Sequence, residues 1–596
     1  MTRAEDRSYD DLSEALPVDV IPASNGEFIP PPPTAEHRRI MQLANEQTEV
    51  ARRALGMDRR TFVRTAGAYA IGIWAISQVS GGRWGSYALS EEPTPNACDL
   101  QNPKAQLANL PGEFIFDVQS HHVDPQGQWR VTNPGFHAFM AGVWEQSGPL
   151  GGMPRQRPDG SIRGFGLGGE LDPVENLSRT HYVKELFLDS STNCTVLSAV
   201  PSEPDNQPLP LEEAHDTVTA VNRMARSRRS VMHAFVMPNR GSAGTSSTSL
   251  GQPPAFMAEE FELMERNVKT YGPDLRGWKV YTPWGDVPNG TGWFLDDDIG
   301  LAFLDQVMRL GTKYGAPRLI AAHKGFALPA FDQRAASPRD VGPAARQFPG
   351  VTFLIYHSGF DGDRQGAYPG DDKVNSADRG VDCFIKSLRE NGIAASQRIP
   401  AGLAHGNTPN VYGEIGATWH SVMSTPDEAS HLLGKLITHV GPKRICWGTD
   451  SLWYGTPQPE IVALRAFRMT DAAKKLYNLP YGIDGDVDDP RRNAHSAGSY
   501  MSRHRHVKGW PTDKRAHPER SIRNAIFGRN AARAYRIDAD AHLNAIKCDE
   551  VEKLRESYLI NPGTERERAP YRSNTVYGYR DGASLLKDRA SRPWAP

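Results

Sequence analysis

The feature that most constrains this chain is a rhythm of eight short apolar runs, most of them separated by segments with helical spacing. They are EFIFDVQSH (113–121), TVLSAVP (195–201), SVMHAFVMP (230–238), GWKVYTPW (277–284), RLIAAHKG (318–325), VTFLIYHSG (351–359), NVYGEIGATW (410–419) and RICWGTDS (444–451). Between them lie stretches such as DDDIGLAFLDQVMRLGTKYG, which sets Leu301, Leu304, Val307 and Met308 on one helical face behind a run of aspartates. Another, ASHLLGKLITHVGP, is an apolar stripe that ends in glycine and proline. Strands that alternate with helices build a parallel sheet, and eight such units close a TIM-like (β/α)8 barrel. The spacing therefore predicts an α/β barrel over residues 100–540, closed by a helix at SIRNAIFGRNAARAYRID (521–538), with a C-terminal extension over 541–596.

The connections 122–194, 360–409 and 452–520 are longer than linking requires. All follow strands, so they are expected to build a lid or pocket wall over the barrel mouth. Lys plus Arg number 68 against 70 Asp plus Glu, which gives no footprint for nucleic acid or another polyanion. The five cysteines are scattered without CxxC spacing and form neither a disulfide framework nor a zinc knuckle. No segment reaches the ~18 consecutive apolar residues of a spanning helix.

Residues 1–56 are polar, contain a PPPP run at 30–33, and are expected to be disordered. Residues 57–88 are different. In MDRRTFVRTAGAYAIGIWAISQVSGG, from Met57, Arg59 and Arg60 precede Phe62 and an apolar stretch from Ala66 to Val79. Ser86-Tyr87-Ala88 then offers small residues where a signal peptidase would read them. The order resembles a twin-arginine export signal, which implies transient contact with that export machinery and a periplasmic or extracellular destination. The alternative is a basic pair ahead of a buried helix.

The strands share a grammar: each opens with apolar residues and ends with polar or aromatic ones. In a (β/α)8 barrel the strand ends meet at one mouth, where active sites lie. Alternation puts Asp117, Gln119 and His121 on one face of the first strand, and turns His122 away. His323 on the fifth strand, His357 on the sixth, Asp450 on the eighth and Lys279 on the fourth also face inward. Imidazoles and a carboxylate gathered in this way suit a divalent metal such as zinc, with manganese as the alternative. Each has a plainer reading as a hydrogen-bonded core residue: Asp450 as a loop cap, and Lys279 as half of a buried ion pair. His122 and His405 are read as loop residues. Trp284, Trp419 and Trp453 are read as an aromatic pocket wall or as filling beneath the lid.

The run from DVQSHH through AAHKG, IYHSG and WGTD to IFGRNAARAY resembles the amidohydrolase-related barrel proteins. It is most similar to the branch that contains aminocarboxymuconate semialdehyde decarboxylase. The resemblance implies that His121, His323 and Asp450 are metal ligands and that His357 acts in catalysis. In that family the first strand carries an HxH pair, whereas this chain has Gln119 at the first position. Glutamine is neutral and offers only a hard carbonyl oxygen, a poor replacement for imidazole at zinc.

Three functions follow for a small-molecule substrate. The first is a metal-dependent hydrolase of an amide, ester or lactone, with Asp450 and His357 catalytic and the metal at His121, His323, Asp450 and Gln119. The second is a metal-dependent nonoxidative decarboxylase of an aromatic or unsaturated acid. The third is a barrel that has lost its metal and its catalysis, for which Gln119 is the main support.

Overall fold

The computed structural model describes residues 18–88, 113–140, 174–241, 254–361, 379–395, 410–488 and 520–560, apart from short breaks within the first four spans. Eight parallel strands follow one another in chain order around a single sheet. They are β1 (Phe116–Ser120), β2 (Cys194–Leu197), β3 (Ser230–Phe235), β4 (Leu275–Tyr281), β5 (Leu319–His323), β6 (Thr352–Tyr356), β7 (Val411–Glu414) and β8 (Ile445–Cys446). The segment that follows β8 closes the ring onto β1. Val118 donates its N–H to Trp447 O at 3.0 Å, Asp450 donates to Gln119 O at 2.8 Å, and Ser120 bridges Ser451. The chain is a (β/α)8 barrel, and each apolar run of the sequence carries one strand.

Alternation along the strands separates two cores. Phe116 and Val118 of β1, Leu319 and Ala321 of β5, and Leu354 and Tyr356 of β6 fill the barrel interior. Ile320, Ala322, Phe353 and Ile355 belong instead to the larger core that includes Phe303, Leu304, Val307 and Leu310. Those four lie on α1 (Asp298–Tyr314). This helix starts where Asp297 accepts from Gly300 N, and stops at Gly315, whose φ of 66° is one that glycine adopts without strain.

The expected closing helix is present over Ile522–Ala534, with a π-helical turn at Ala525–Arg529. Asn530 donates its side-chain amide to Ile445 O at 2.8 Å, which ties the helix to β8. Tyr535 enters the interior core, and its hydroxyl lies 2.8 Å from His233 Nε2 on β3. The C-terminal extension begins with helices Ala539–Ile546 and Glu550–Ile560. Between them Asp549 takes two bonds from Arg229, at 2.6 and 2.7 Å, and the Arg229 side chain is only 1% exposed.

The expectation of disorder over residues 1–56 is corrected for the part that is described, from residue 18 on; residues 1–17 lie outside the described residues. A helix, Ala35–Ala54, buries Ile40, Met41, Ala44, Thr48 and Ala51 along one stripe, and it packs on the helix Ala66–Val79. The stripe is spaced for a helix, but its residues are diluted among charges, so mean composition hides it. The apolar stretch at 66–79 is buried in the main core through Ile71, Ile73, Trp74 and Ile76. Ser86-Tyr87-Ala88 lies at a two-stranded ribbon in which Gly85–Tyr87 pairs antiparallel with Phe467–Met469. Asp427 holds this ribbon by accepting from Trp84 N and Gly85 N.

Much of the three long connections, including His405, lies outside the described residues. The described part of the first one forms a smaller core of Val123, Trp129, Tyr182 and Phe187 beside Leu197 and Leu452.

Candidate functional site

The first strand delivers its polar residues through an irregularity. The pairing of β1 with β2 shifts register between Asp117 and Ser120. Simple alternation, which placed Asp117, Gln119 and His121 together, therefore fails across this bulge. The Asp117 carboxylate accepts from Thr449 Oγ1 at 2.5 Å and from the N–H groups of Gln119 and Thr449. Gln119 and His121 instead reach Asp450. Gln119 Nε2 donates to Asp450 Oδ1 at 2.7 Å, and His121 Nε2 lies 3.1 Å from the same oxygen. His122 turns away as expected, with Nε2 2.9 Å from Thr217 Oγ1.

His323 ends β5, and its ring lies 4.6 Å from that of His357. His357 directly follows the interior Tyr356, so alternation would turn it outward. A φ of 60° at His357, with 49° at Ser358, swings it back toward the mouth. Three bonds hold this backbone: Glu414 accepts from His357 N at 2.8 Å, Thr418 Oγ1 donates to His357 O at 2.7 Å, and Ser358 Oγ donates to Glu414 O at 2.7 Å. Asp450 likewise sits at φ 60°. Non-glycine residues held at such angles by their surroundings concentrate at functional sites.

Burial dominates the electrostatics. It drives His357 down to about 4 and His323 well below the usual imidazole range, so both rings are neutral at pH 7. Burial would raise Asp450, but the hydrogen bond and charge of His121, together with His357 and Lys279, hold it below the usual carboxylate range. Lys279 falls to about 7 through burial, against the pull of Asp450, Glu27 and Glu414. Its expected ion pair is absent: among the described residues no carboxylate lies within salt-bridge reach, and Nζ sits 3.9 Å above the Tyr356 ring. Tyr356, an aromatic neighbour inside the barrel, takes the place of the anion.

This donor set fits a divalent cation. His121 Nδ1 donates to Ser198 O at 2.9 Å, which leaves Nε2 for Asp450. Nε2 lies 3.1 Å from a carboxylate oxygen, an arrangement that a proton on Nε2 or a cation bound by both groups satisfies. Gln119 Oε1 and His357 Nδ1 are buried without a hydrogen-bond partner among the described residues. The structure joins the expected residues in a chain: His121 to Asp450, Asp450 to Gln119, Gln119 to His357 at 3.4 Å, and His357 to His323. His323 stands beside His357 rather than beside His121 and Asp450.

Two carboxylates at this site are not singled out by the sequence reading. Glu414 ends β7 inside the run NVYGEIGATW, and its charge at a strand end is the signal that could have found it. Glu27 comes from a polar, proline-flanked segment with no periodicity at all. Its Oε1 lies 3.7 Å from His323 Nε2. Of the tryptophans, Trp453 stacks on His121 at 5.5 Å and is a true wall of the mouth. Trp284 stacks on Phe331 at 4.7 Å, and Trp419 is core, its Nε1 donating to Glu460 O.

The mouth of this barrel gathers imidazoles, a carboxylate and buried unpartnered acceptor atoms, a set whose chemistry suits a divalent cation. Residues 247–537 match the amidohydrolase family model. No curated protein matches it in sequence. Among solved structures, 2,6-dihydroxybenzoate decarboxylase from Rhizobium aligns over 62% of this chain and 99% of its own, at 12% identity and a TM-score of 0.31. The 5-carboxyvanillate decarboxylase of Sphingomonas paucimobilis aligns over 71% and 99%, at 11% identity and a TM-score of 0.36. An amidohydrolase from Burkholderia multivorans, solved with bound zinc, aligns over 71% and 100%, at 12% identity and a TM-score of 0.31.

Proposed function

We propose that the protein is a metal-dependent hydrolase that attacks a carbonyl carbon of an amide, ester or lactone. The observation that carries this reading is the placement of His121 Nε2 3.1 Å from the Asp450 carboxylate, beside Gln119 Oε1 and His357 Nδ1, which have no hydrogen-bond partner among the described residues. His121, Asp450 and His323 would hold the cation, with Gln119 Oε1 as a further oxygen donor. A divalent ion bound there supplies Lewis acidity toward a carbonyl and lowers the pKa of water. His357 is neutral and is gripped at its backbone by Glu414, so its ring can take a proton from the attacking water and return it to the leaving group. Gln119 Nε2, shared between Asp450 and His357, fixes the distance between the two halves of the site.

Nonoxidative decarboxylation is the second reading, and Lys279 favours it. A buried amine in the mouth, with no carboxylate partner among the described residues, would in its protonated form take the carboxylate of an acid substrate. One experiment separates the two. The full chain, purified with its metal retained, is expected to carry close to one divalent ion and to open lactones or cleave amides or esters without releasing carbon dioxide. Carbon dioxide release from aromatic acids would favour the second reading. A chain without metal, and inactive after added zinc or manganese, would sink both.

Export by the twin-arginine route is a separate part of the proposal, supported by the order of Arg59, Arg60, Phe62 and the apolar stretch to Val79. Because that stretch packs in the main core, recognition of the signal requires its release from the barrel. Amino-terminal sequencing of the exported protein is expected to read from just after Ala88. A mature chain that still begins at Met1, retained with the cell contents, would count against it.

A further inference from the structure

Glu27 enters the barrel mouth from outside the barrel. The segment that carries it is built in rather than draped over the surface. Val18, Val20, Ile21 and Ala23 are buried, and the Phe28 ring packs on Phe326 at 5.3 Å, three residues beyond His323. The turn is fixed locally, with Glu27 N donating to Asn25 Oδ1 at 3.1 Å, Asn25 Nδ2 donating to Glu27 Oε2 at 3.2 Å, and Phe28 N donating to Ser24 Oγ at 3.3 Å. The result is a carboxylate only 9% exposed, 3.7 Å from His323 Nε2, with no Lys or Arg ion-pair partner among the described residues. Ligand atoms of Glu27, His323 and His357 all lie within 4.8 Å of one another.

A buried carboxyl with no cation beside it is neutral, and a divalent ion at this position would hold Glu27 ionised. The site also lacks one donor, because Gln119 stands where an imidazole is expected. We propose that Glu27 is a ligand of the divalent cation, supplied by the N-terminal segment in compensation for Gln119. The inference rests on the metal-dependent reading above. With the ion bound, Asp450 and Glu27 would supply two negative charges to match it, and Gln119 none. It also explains why residues 18–30 are packed into the fold although they precede the barrel by some eighty residues. Glu27 precedes Ala88, so the inference is made for the unprocessed chain, which folds before any export.

Direct metal titration tests the inference without a substrate. Mn2+ binding to the full chain is followed by electron paramagnetic resonance and calorimetry for the wild type, Glu27→Gln and Glu27→Asp, with thermal unfolding of each metal-free protein as the control for folding. Glu27→Gln is expected to weaken Mn2+ affinity at least about tenfold, to alter the spectrum of the bound ion, and to leave the unfolding transition cooperative. Unchanged or tighter Mn2+ binding by Glu27→Gln would overturn the inference while leaving the metal-dependent function standing. Absence of Mn2+ and Zn2+ binding by the wild type would overturn both. Should Glu27→Gln lose its cooperative transition, Glu27→Asp decides by the same measurement, since the shorter carboxylate cannot reach as far.

Discussion

Asp450→Asn is expected to lower divalent-metal affinity and turnover together by at least about a hundredfold, because even partners one step removed from a metal cost about 10–100-fold. The substitution keeps shape and removes charge. Asparagine tolerates the positive φ of 60° at this position almost as well as aspartate does. Its carbonyl oxygen can still accept from Gln119 Nε2, so the mouth should keep its form. What is lost is the anion that faces His121 Nε2 at 3.1 Å. Metal content after dialysis, Mn2+ titration and a melting curve measured on the same preparation give the answer. A variant that holds its metal as the wild type does would move the ion away from Asp450, toward His323 and His357.

The largest expected loss of stability belongs to Asp340→Ala, at about 3–5 kcal/mol. Asp340 pairs with Lys324 at 2.6 Å, and both side chains are 0% exposed. The same carboxylate oxygen accepts from Leu295 N at 2.7 Å, so alanine strands an ammonium and a backbone donor together. Lys324 is the residue after His323, and it also donates to Ala335 O at 3.0 Å. The pair therefore positions the end of β5 as well as stabilising it. Urea unfolding of the metal-free proteins reads the difference directly. An alanine variant with the wild-type midpoint would show that Lys324 deprotonates or finds water instead.

The barrel was legible because its signal is local and repeated. Eight apolar runs with helical segments between them admit few architectures, and the strand-end grammar pointed to His121, His323, His357 and Asp450 at one mouth. The alternation rule then reached its limit in two places. At β1 the register shift between Asp117 and Ser120 sends Asp117 to Thr449, while Gln119 goes to Asp450. At β6 the interior Tyr356 and the mouth-facing His357 are adjacent, which a regular strand forbids and a φ of 60° permits. Lys279 was correctly turned inward, but its partner is the Tyr356 ring rather than a carboxylate. A partner across the barrel is set by packing among distant strands, and no local pattern encodes it.

The N-terminal region shows the same division more sharply. Composition described residues 1–56 as polar, yet Ile40, Met41 and Ala44 form a buried stripe, and Glu27 reaches His323. The sequence by itself determined the barrel, its closing helix and the strand-end residues that face its mouth, because hydrophobic period and strand alternation are written in neighbouring residues. Only the tertiary structure decided how those residues pair, and that a carboxylate from outside the barrel joins them. Burial is a property of the assembled fold. It makes His323 and His357 neutral, and the packing that produces it brings Glu27 to a histidine nearly three hundred residues away.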